Sequence, residues 1–180
     1  MPESIHHTPI DEPSPWVDRF APLVRKGAPV LDIACGSGRH CKVFLDLGHP
    51  VTALDRDLSR LALPRDAPGF TAIESDLEDG GPWPLAEQLF GAVVVTNYLY
   101  RPLFPSIIAS LEPGGVLIYE TFALGNERFG RPRNPDHLLK PGELLEAVRG
   151  RLRVIAYEDI ERPLPKRAMI QRICALSPVS

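Results

Sequence analysis

Val30-Leu31-Asp32-Ile33-Ala34-Cys35-Gly36-Ser37-Gly38-Arg39-His40 decides the fold, because an apolar run ends in a two-glycine turn that opens onto an amphipathic segment. Residues 30–34 read as a buried parallel strand interrupted only by Asp32, while Cys41, Phe44 and Leu45 recur at helical spacing before Gly48 supplies a stop. A strand, a tight turn and a helix follow in that order. Glycine at 36 and 38 lets the backbone turn sharply and lets a ligand approach without meeting a Cβ. The helix that begins near Arg39 presents free N–H groups at its start, which is the geometry of a nucleotide or nucleoside site.

The 180 residues suffice for one domain with a real core, and 44% hydrophobic with 24% charged residues is ordinary for a soluble globular chain. A net charge of -3 and a pI near 6.0 supply no global attraction to nucleic acid or to an anionic membrane, so either partner would need a local patch. Cys35, Cys41 and Cys174 form no CxxC pair, which argues against a disulfide framework or a metal site and suits a reducing cytoplasm. The first residues are polar and proline-rich rather than a signal peptide, and no apolar run approaches the ~18 residues of a membrane helix. The 20 prolines are scattered between apolar runs, so they predict sharply ended elements rather than disorder.

Outward from the turn, residues 1–13 read as a mobile tail, with His6-His7 inert in it, before a single domain over 14–180. Ser14-Pro15 caps an amphipathic helix through Trp16, Val17, Phe20, Leu23 and Val24 that Pro22 kinks or shortens. Strands are predicted at 51–54, 70–73, 92–96 and 116–120, and short helices at 58–63, 85–89, 107–111 and 143–148. Pro113-Gly114-Gly115 marks a turn before the fifth strand, and 152–157 with 169–176 form an antiparallel hairpin around Pro163 and Pro165. Residues 125–139, rich in Arg, Asn and Pro, are long for a connection and read as a lid or binding loop. Alternating strands and helices predict a doubly wound α/β domain with a mostly parallel sheet.

Such sheets bind ligands beyond the carboxyl ends of their strands, so the candidates are the residues that end them: Gly36 and Gly38, Asp55, Asp76, Asn97 and Glu120. Asp55 follows Gly38 by 17 residues (55 minus 38), close to the ~20 expected of an acid that accepts both ribose hydroxyls. Its rival role is to cap residues 58–63, for which Asp57 is equally placed. Asp76 can accept from an exocyclic amine such as that of adenine, with the Leu77 N–H on a ring nitrogen; a solvated acidic turn is the bland alternative. A GxGxxG dinucleotide fingerprint wants a small residue at 41, where Cys41 stands, and no GxxxxGK[ST] phosphate loop is present.

Read as Asp32-x-Ala34-x-Gly36-x-Gly38, the stretch resembles motif I of class I S-adenosylmethionine-dependent methyltransferases, with Ala34 where the first glycine commonly stands. Asp55, the Asp76-Leu77 pair, Asn97-Tyr98 and Pro113 to Gly115 fall in the family's order, and the likeness covers about residues 14–176. Within it the chain is similar to compact bacterial relatives of the tellurite-resistance and thiopurine methyltransferases, through Gly36 to His40 and the 120–145 segment. The resemblance implies a three-layer sandwich with strand order 3-2-1-4-5-7-6, strand 7 antiparallel, and S-adenosyl-L-methionine as cofactor. It carries Asp32, Cys35, Gly36 and Gly38 to the methionine end, Asp55 to the ribose, Asp76 and Leu77 to the adenine, and the backbone near Asn97 to the amino group, with Ala34 and Arg56 as further cofactor-binding candidates. Arg19 is the candidate for the cofactor carboxylate.

Methyl transfer from a sulfonium is an in-line displacement, so alignment matters most and a general base is optional. Tyr98, His40 and Glu120 are the candidate catalytic residues; His137 is a further base, with a structural role as its alternative. No Asn-Pro-Pro-Tyr motif follows strand 4, which lowers base or glutamine N-methylation. Tyr98, Tyr100, Arg101, Arg128, Phe129 and Arg131 flank the pocket mouth in sequence, and arginine suits oxyanions. A small anionic or soft nucleophile (metabolite, thiol or metalloid oxyanion) is the first reading for the acceptor. A nucleic acid held by the arginine-aromatic patch is the second, and a cofactor-binding partner protein without turnover the third.

Overall fold

The computed structural model describes residues 12–179. Of the segment read as a tail only Glu12 and Pro13 are among them, and the readings of residues 1–11, His6-His7 included, lie outside the described residues. In chain order the elements are α1 Pro15–Phe20, β1 Val30–Ile33, α2 Arg39–Asp46, β2 Val51–Asp55, β3 Phe70–Glu74 and β4 Phe90–Thr96. These lead to α3 Phe104–Ala109, β5 Leu111–Phe122, α4 Glu143–Val148, β6 Arg153–Arg162 and β7 Ala168–Leu176. The sheet runs β3-β2-β1-β4-β5-β7-β6. β1 to β5 are mutually parallel, and β7 lies antiparallel to both β5 and β6. This is the doubly wound α/β sandwich that the alternation of elements predicts.

Alternation along the strands sorts the core onto two faces. Val30, Val94 and Ile118 meet Trp16 and Phe20 of α1 and Phe44 of α2 on one side. Leu31, Ile33, Val93, Val95 and Tyr119 meet Ile107 of α3 and Leu144 of α4 on the other. β4 is buried along its whole length, as the continuous apolar run 92–95 requires of a central parallel strand.

Three helix expectations change, and the Ser14 cap with the Pro22 stop holds. Residues 85–89 form no helix: Pro82 and Pro84 delimit a single turn, closed by the Gln88 N–H on the Leu85 carbonyl at 3.0 Å. The helix expected at 58–63 is a 3₁₀ turn, Leu58–Arg60, and Leu61 and Leu63 instead pack over Gly38. The third helix starts earlier than 107, because Pro105 pre-sets its first turn, and Leu111 already belongs to β5. The Ser14 cap forms, its hydroxyl accepting the Trp16 N–H at 3.1 Å, and the helix stops at Phe20 with Pro22 in a 3₁₀ extension.

Candidate functional site

The carboxyl ends of β1 to β5 open onto one cavity of about 1110 Å³, large beside the ~300–1,000 Å³ of ordinary ligand sites, so it has room for two molecules side by side. Ala34, Cys35, Gly36, Asp55, Arg56, Asp76, Leu77, Asn97 and Tyr98 all line it, and strand order spreads them across its floor. Asp76 and Leu77 follow β3, Asp55 ends β2, the glycine turn ends β1 and Asn97 follows β4. Thr121 and Phe122 of β5, and Pro132 and His137 of the 125–139 loop, close the far side.

The turn is built from left-handed backbone. Ala34 takes φ 55, so the conformation favoured by glycine persists although alanine occupies it. Gly36 has φ 55 with nothing within 4 Å of where a Cβ would stand, which leaves its cavity side open. Gly38, at φ 81, is needed for packing: a Cβ there would lie 2.9 Å from Leu61 Cδ1. Asp55 Oδ2 accepts the Gly36 N–H at 2.9 Å and Oδ1 the Asp57 N–H at 3.1 Å, so the acid is held against the turn with lone pairs to spare. Asp57 takes the capping role, accepting the Ser59 N–H at 2.9 Å. Asp76 Oδ1 accepts the Glu78 N–H at 2.9 Å. Acids at two successive strand ends beside an open glycine turn suit a nucleoside with an amino-acid tail, and S-adenosylmethionine fits that donor set.

Asp32 does not line the cavity; it lies buried below the turn and accepts the Cys41 Sγ–H at 3.1 Å. Burial pushes its carboxyl up to about 7. Arg19 is also displaced from its expected role, its guanidinium standing 5.8 Å over the Trp16 ring and 4.9 Å over Phe20. The arginine that lines the cavity beside the turn is Arg39, the first residue of α2, which also donates to the Glu12 carbonyl at 3.1 Å.

The three catalytic candidates separate. Tyr98 lines the cavity, and burial, with the Glu78 carboxylate beside it, pushes its phenol up, so it stays protonated at neutral pH. His40 is buried between Ser14, whose N–H it accepts at 3.0 Å, and Thr96 Oγ1 at 3.3 Å; burial, then Arg39, pushes it down to about 3. Glu120 points to the opposite face of β5 from Tyr119 and Thr121, where it accepts the Ser14 hydroxyl at 3.0 Å and pairs with Arg172 at 3.2 Å and Arg162 at 3.7 Å. Neither His40 nor Glu120 lines the cavity.

The arginines expected at the pocket mouth make other contacts. Arg101 donates to Glu143 Oε1 at 2.6 Å and to the Asp136 and Leu138 carbonyls, a strut for the loop rather than a ligand group. Arg128 donates to the Gly125 carbonyl at 3.1 Å, and Phe129 lies under both Arg128 and Arg167. Arg128, Phe129 and Arg131 do not line the cavity, and Tyr100 lines a separate hollow of about 180 Å³ with Trp83. Sequence reasoning missed Arg39, Thr96, Thr121 and Phe122. The strand-end rule that picked Glu120 reaches Thr121 once the alternation of β5 is applied.

This strand order, with the acids of β2 and β3 beside the glycine turn of β1, is the fold of S-adenosylmethionine-dependent methyltransferases. The glycopeptide N-methyltransferase MtfA, solved with S-adenosyl-L-homocysteine and also with sinefungin, resembles the chain at 25% identity, TM-score 0.62, over 90% of this chain and 88% of its own. An S-adenosylmethionine-dependent methyltransferase from Mesorhizobium loti does so at 18% identity and TM-score 0.67, over 88% and 96%. TehB from Haemophilus influenzae is 19% identical with TM-score 0.68; 90% of this chain is covered, but only 61% of TehB. No family model matches the sequence, and no curated protein matches it.

Proposed function

We infer that the protein is a methyltransferase that binds S-adenosyl-L-methionine across the ends of β1 to β3 and passes its methyl group to a small acceptor lodged against β4 and β5. The observation that carries this reading is the single cavity of about 1110 Å³ in which Asp55 and Asp76 stand beside the open Gly36 turn. When bound, the cofactor supplies an electrophilic methyl on a sulfonium. Asp55 would hold the ribose hydroxyls, Asp76 and Leu77 the adenine, and Asn97 the amino group, while Arg39, which lines the cavity where Arg19 does not, would take the carboxylate. Wall residues Leu99, Phe122 and Pro132 exclude water from the acceptor. All three cysteines are free and buried, which suits a cytoplasmic enzyme, and among the described residues no helix is long and apolar enough to cross a membrane.

Calorimetry tests the reading. S-Adenosylhomocysteine should bind the wild type, and Asp55→Ala should weaken it about 100-fold or more, since two hydrogen bonds to a charged group are lost at about 1.5–3 kcal/mol each. Circular dichroism should show the variant folded. Unchanged affinity removes Asp55 from the ribose, and no binding by the wild type refutes the function.

A further inference from the structure

The acceptor half of the cavity is walled by Tyr98, Leu99, Thr121, Phe122, Pro132 and His137. Asp55, Asp76 and Glu78, with Arg56 and Arg60, belong to the β2–β3 end, and Arg39 to the start of α2. Of the described titratable side chains that line the cavity, Tyr98 follows β4 with the Glu78 carboxylate beside its phenol, and His137 stands on the loop that is tied to β5. The phenol keeps its proton, so it cannot take one from an acceptor, and the Glu78 carboxylate is engaged with it; His137 is carried to the β5 side of the cavity by the Leu139 N–H on the Phe122 carbonyl.

His137 is also mounted with care. Asn134 caps its 3₁₀ turn, the side chain accepting the Asp136 N–H at 3.0 Å and the carbonyl the His137 N–H at 3.0 Å. Arg101 draws in the carbonyls on either side, Asp136 at 2.7 Å and Leu138 at 2.9 Å, and is itself gripped by both Glu143 oxygens at 2.6 and 2.9 Å. Leu138 and Leu139 are buried behind it, and the Leu139 N–H bonds the Phe122 carbonyl at 3.0 Å, tying the loop to β5. Both peptide neighbours of His137 are thus pinned to the protein, while His137 itself lines the cavity, exposed, with no hydrogen-bond partner for its ring among the described residues.

The geometry points to His137 as the general base of the transfer, positioned by Arg101, and so to an acceptor whose nucleophile sheds a proton: an amine or hydroxyl on a small, uncharged molecule with a flat face for Phe122 and Tyr98. This rests on the methyltransferase reading. The acceptor's lone pair forms the bond to the methyl carbon as the carbon–sulfur bond breaks and its electron pair passes to sulfur. The acceptor's proton passes to the imidazole, and from the imidazolium to water. An oxyanion acceptor has no proton to give, and the acceptor half offers it no arginine.

The test uses the full chain with labelled S-adenosylmethionine and a matched series of probes: aniline and N-methylaniline, phenol, and N,N-dimethylaniline as the acceptor without a proton. S-Adenosylhomocysteine should bind the wild type, His137→Gln and Arg101→Met with equal affinity. His137→Gln should slow transfer to aniline or phenol about 100-fold or more and abolish the acid limb of the kcat/KM profile. Added imidazole should restore part of the rate to His137→Ala. Arg101→Met should lower kcat while the His137→Gln variant gains nothing from it, and the His137 C2–H resonance should move when aniline is added to the homocysteine complex. An unchanged rate and pH profile in His137→Gln, or transfer to N,N-dimethylaniline as fast as to N-methylaniline, overturns the proposal. Failure of the wild type to bind S-adenosylhomocysteine overturns the methyltransferase reading instead.

Discussion

His40 and Asp32 are two buried titratable side chains under the cavity whose ionisations oppose each other. His40 Nε2 accepts the Ser14 N–H, so the neutral ring carries its proton on Nδ1 and donates it to Thr96 Oγ1. Protonation would set two donors against each other in a buried site, and the ring is accordingly pushed down to about 3. The unfolded chain therefore binds the extra proton first as the pH falls below the ordinary histidine value of 6.5, and His40 costs stability progressively from there toward 3. Asp32 works with the other sign: raised from 3.8 to about 7, it keeps its proton in the fold after the unfolded chain has lost it, so its contribution declines as the pH rises through that window. His40→Ala should destabilise by about 1–3 kcal/mol at pH 8 by orphaning the Ser14 N–H, and by less at pH 5. Asp32→Asn should gain on the wild type between pH 5 and 8. Urea unfolding at both pH values measures each difference, and differences that do not move with pH would show that neither group is shifted.

At the scale of the element, the strand–turn–helix unit separates two kinds of glycine. Gly36→Ala meets no atom within 4 Å, so it costs only the left-handed strain of about 1–2 kcal/mol, yet it adds a methyl to a residue that lines the cavity. Gly38→Ala adds to the same strain a 2.9 Å approach to Leu61 and 3.2 Å to Leu63. Thermal melts should rank Gly38→Ala as the less stable, while calorimetry with S-adenosylhomocysteine should find the larger loss per degree of melting shift in Gly36→Ala; the reverse ranking would mean that the turn is scaffold and not site. This unit, the five parallel strands and the terminal hairpin are legible in the sequence because each signal is local: an apolar run, a Gly or Pro break, an acid at a strand end. The 125–139 loop is not, because what decides its arginines is distant. Arg101 turns inward to meet Glu143, which lies across the chain beyond the loop, and Phe129 collects Arg167 from the β6–β7 turn. A cluster of arginines in sequence is therefore a poor guide to which charge faces the cavity, and His137 emerges only once its neighbours' carbonyls are seen to be taken.

For the molecule as a whole, Glu120 is the joint between the parallel half of the sheet, its antiparallel edge and the N-terminal helix. The carboxylate is 3% exposed, accepts the Ser14 hydroxyl that caps α1, and meets Arg172 of β7 and Arg162 of β6. Arg172 continues to Glu158 at 2.5 Å and stacks 4.6 Å over Trp16, the largest buried side chain of α1. Arg162 has no second anion to turn to, and its Nε has no partner among the described residues. A buried pair adds little over an apolar one, but removing one member strands the other, at about 3–5 kcal/mol. Glu120→Gln leaves Arg162 and Arg172 without their shared carboxylate, so it should cost about 3 kcal/mol and lower Tm on the order of 10 °C. Adding Arg162→Met removes the cation with no other partner and should recover part of that loss, a coupling that a double-mutant cycle reads directly. Protease cleavage near residues 12–15 should rise in Glu120→Gln, because the charged acceptor of the Ser14 hydroxyl becomes a neutral amide oxygen, and fall again in the double variant only as far as stability returns. Binding of S-adenosylhomocysteine and transfer to aniline, measured well below the melting range, should be unchanged in both. Were transfer lost at unchanged Tm, Glu120 would belong to the chemistry; its burial on the α1 side of β5, away from the cavity, is the physical reason to expect the opposite.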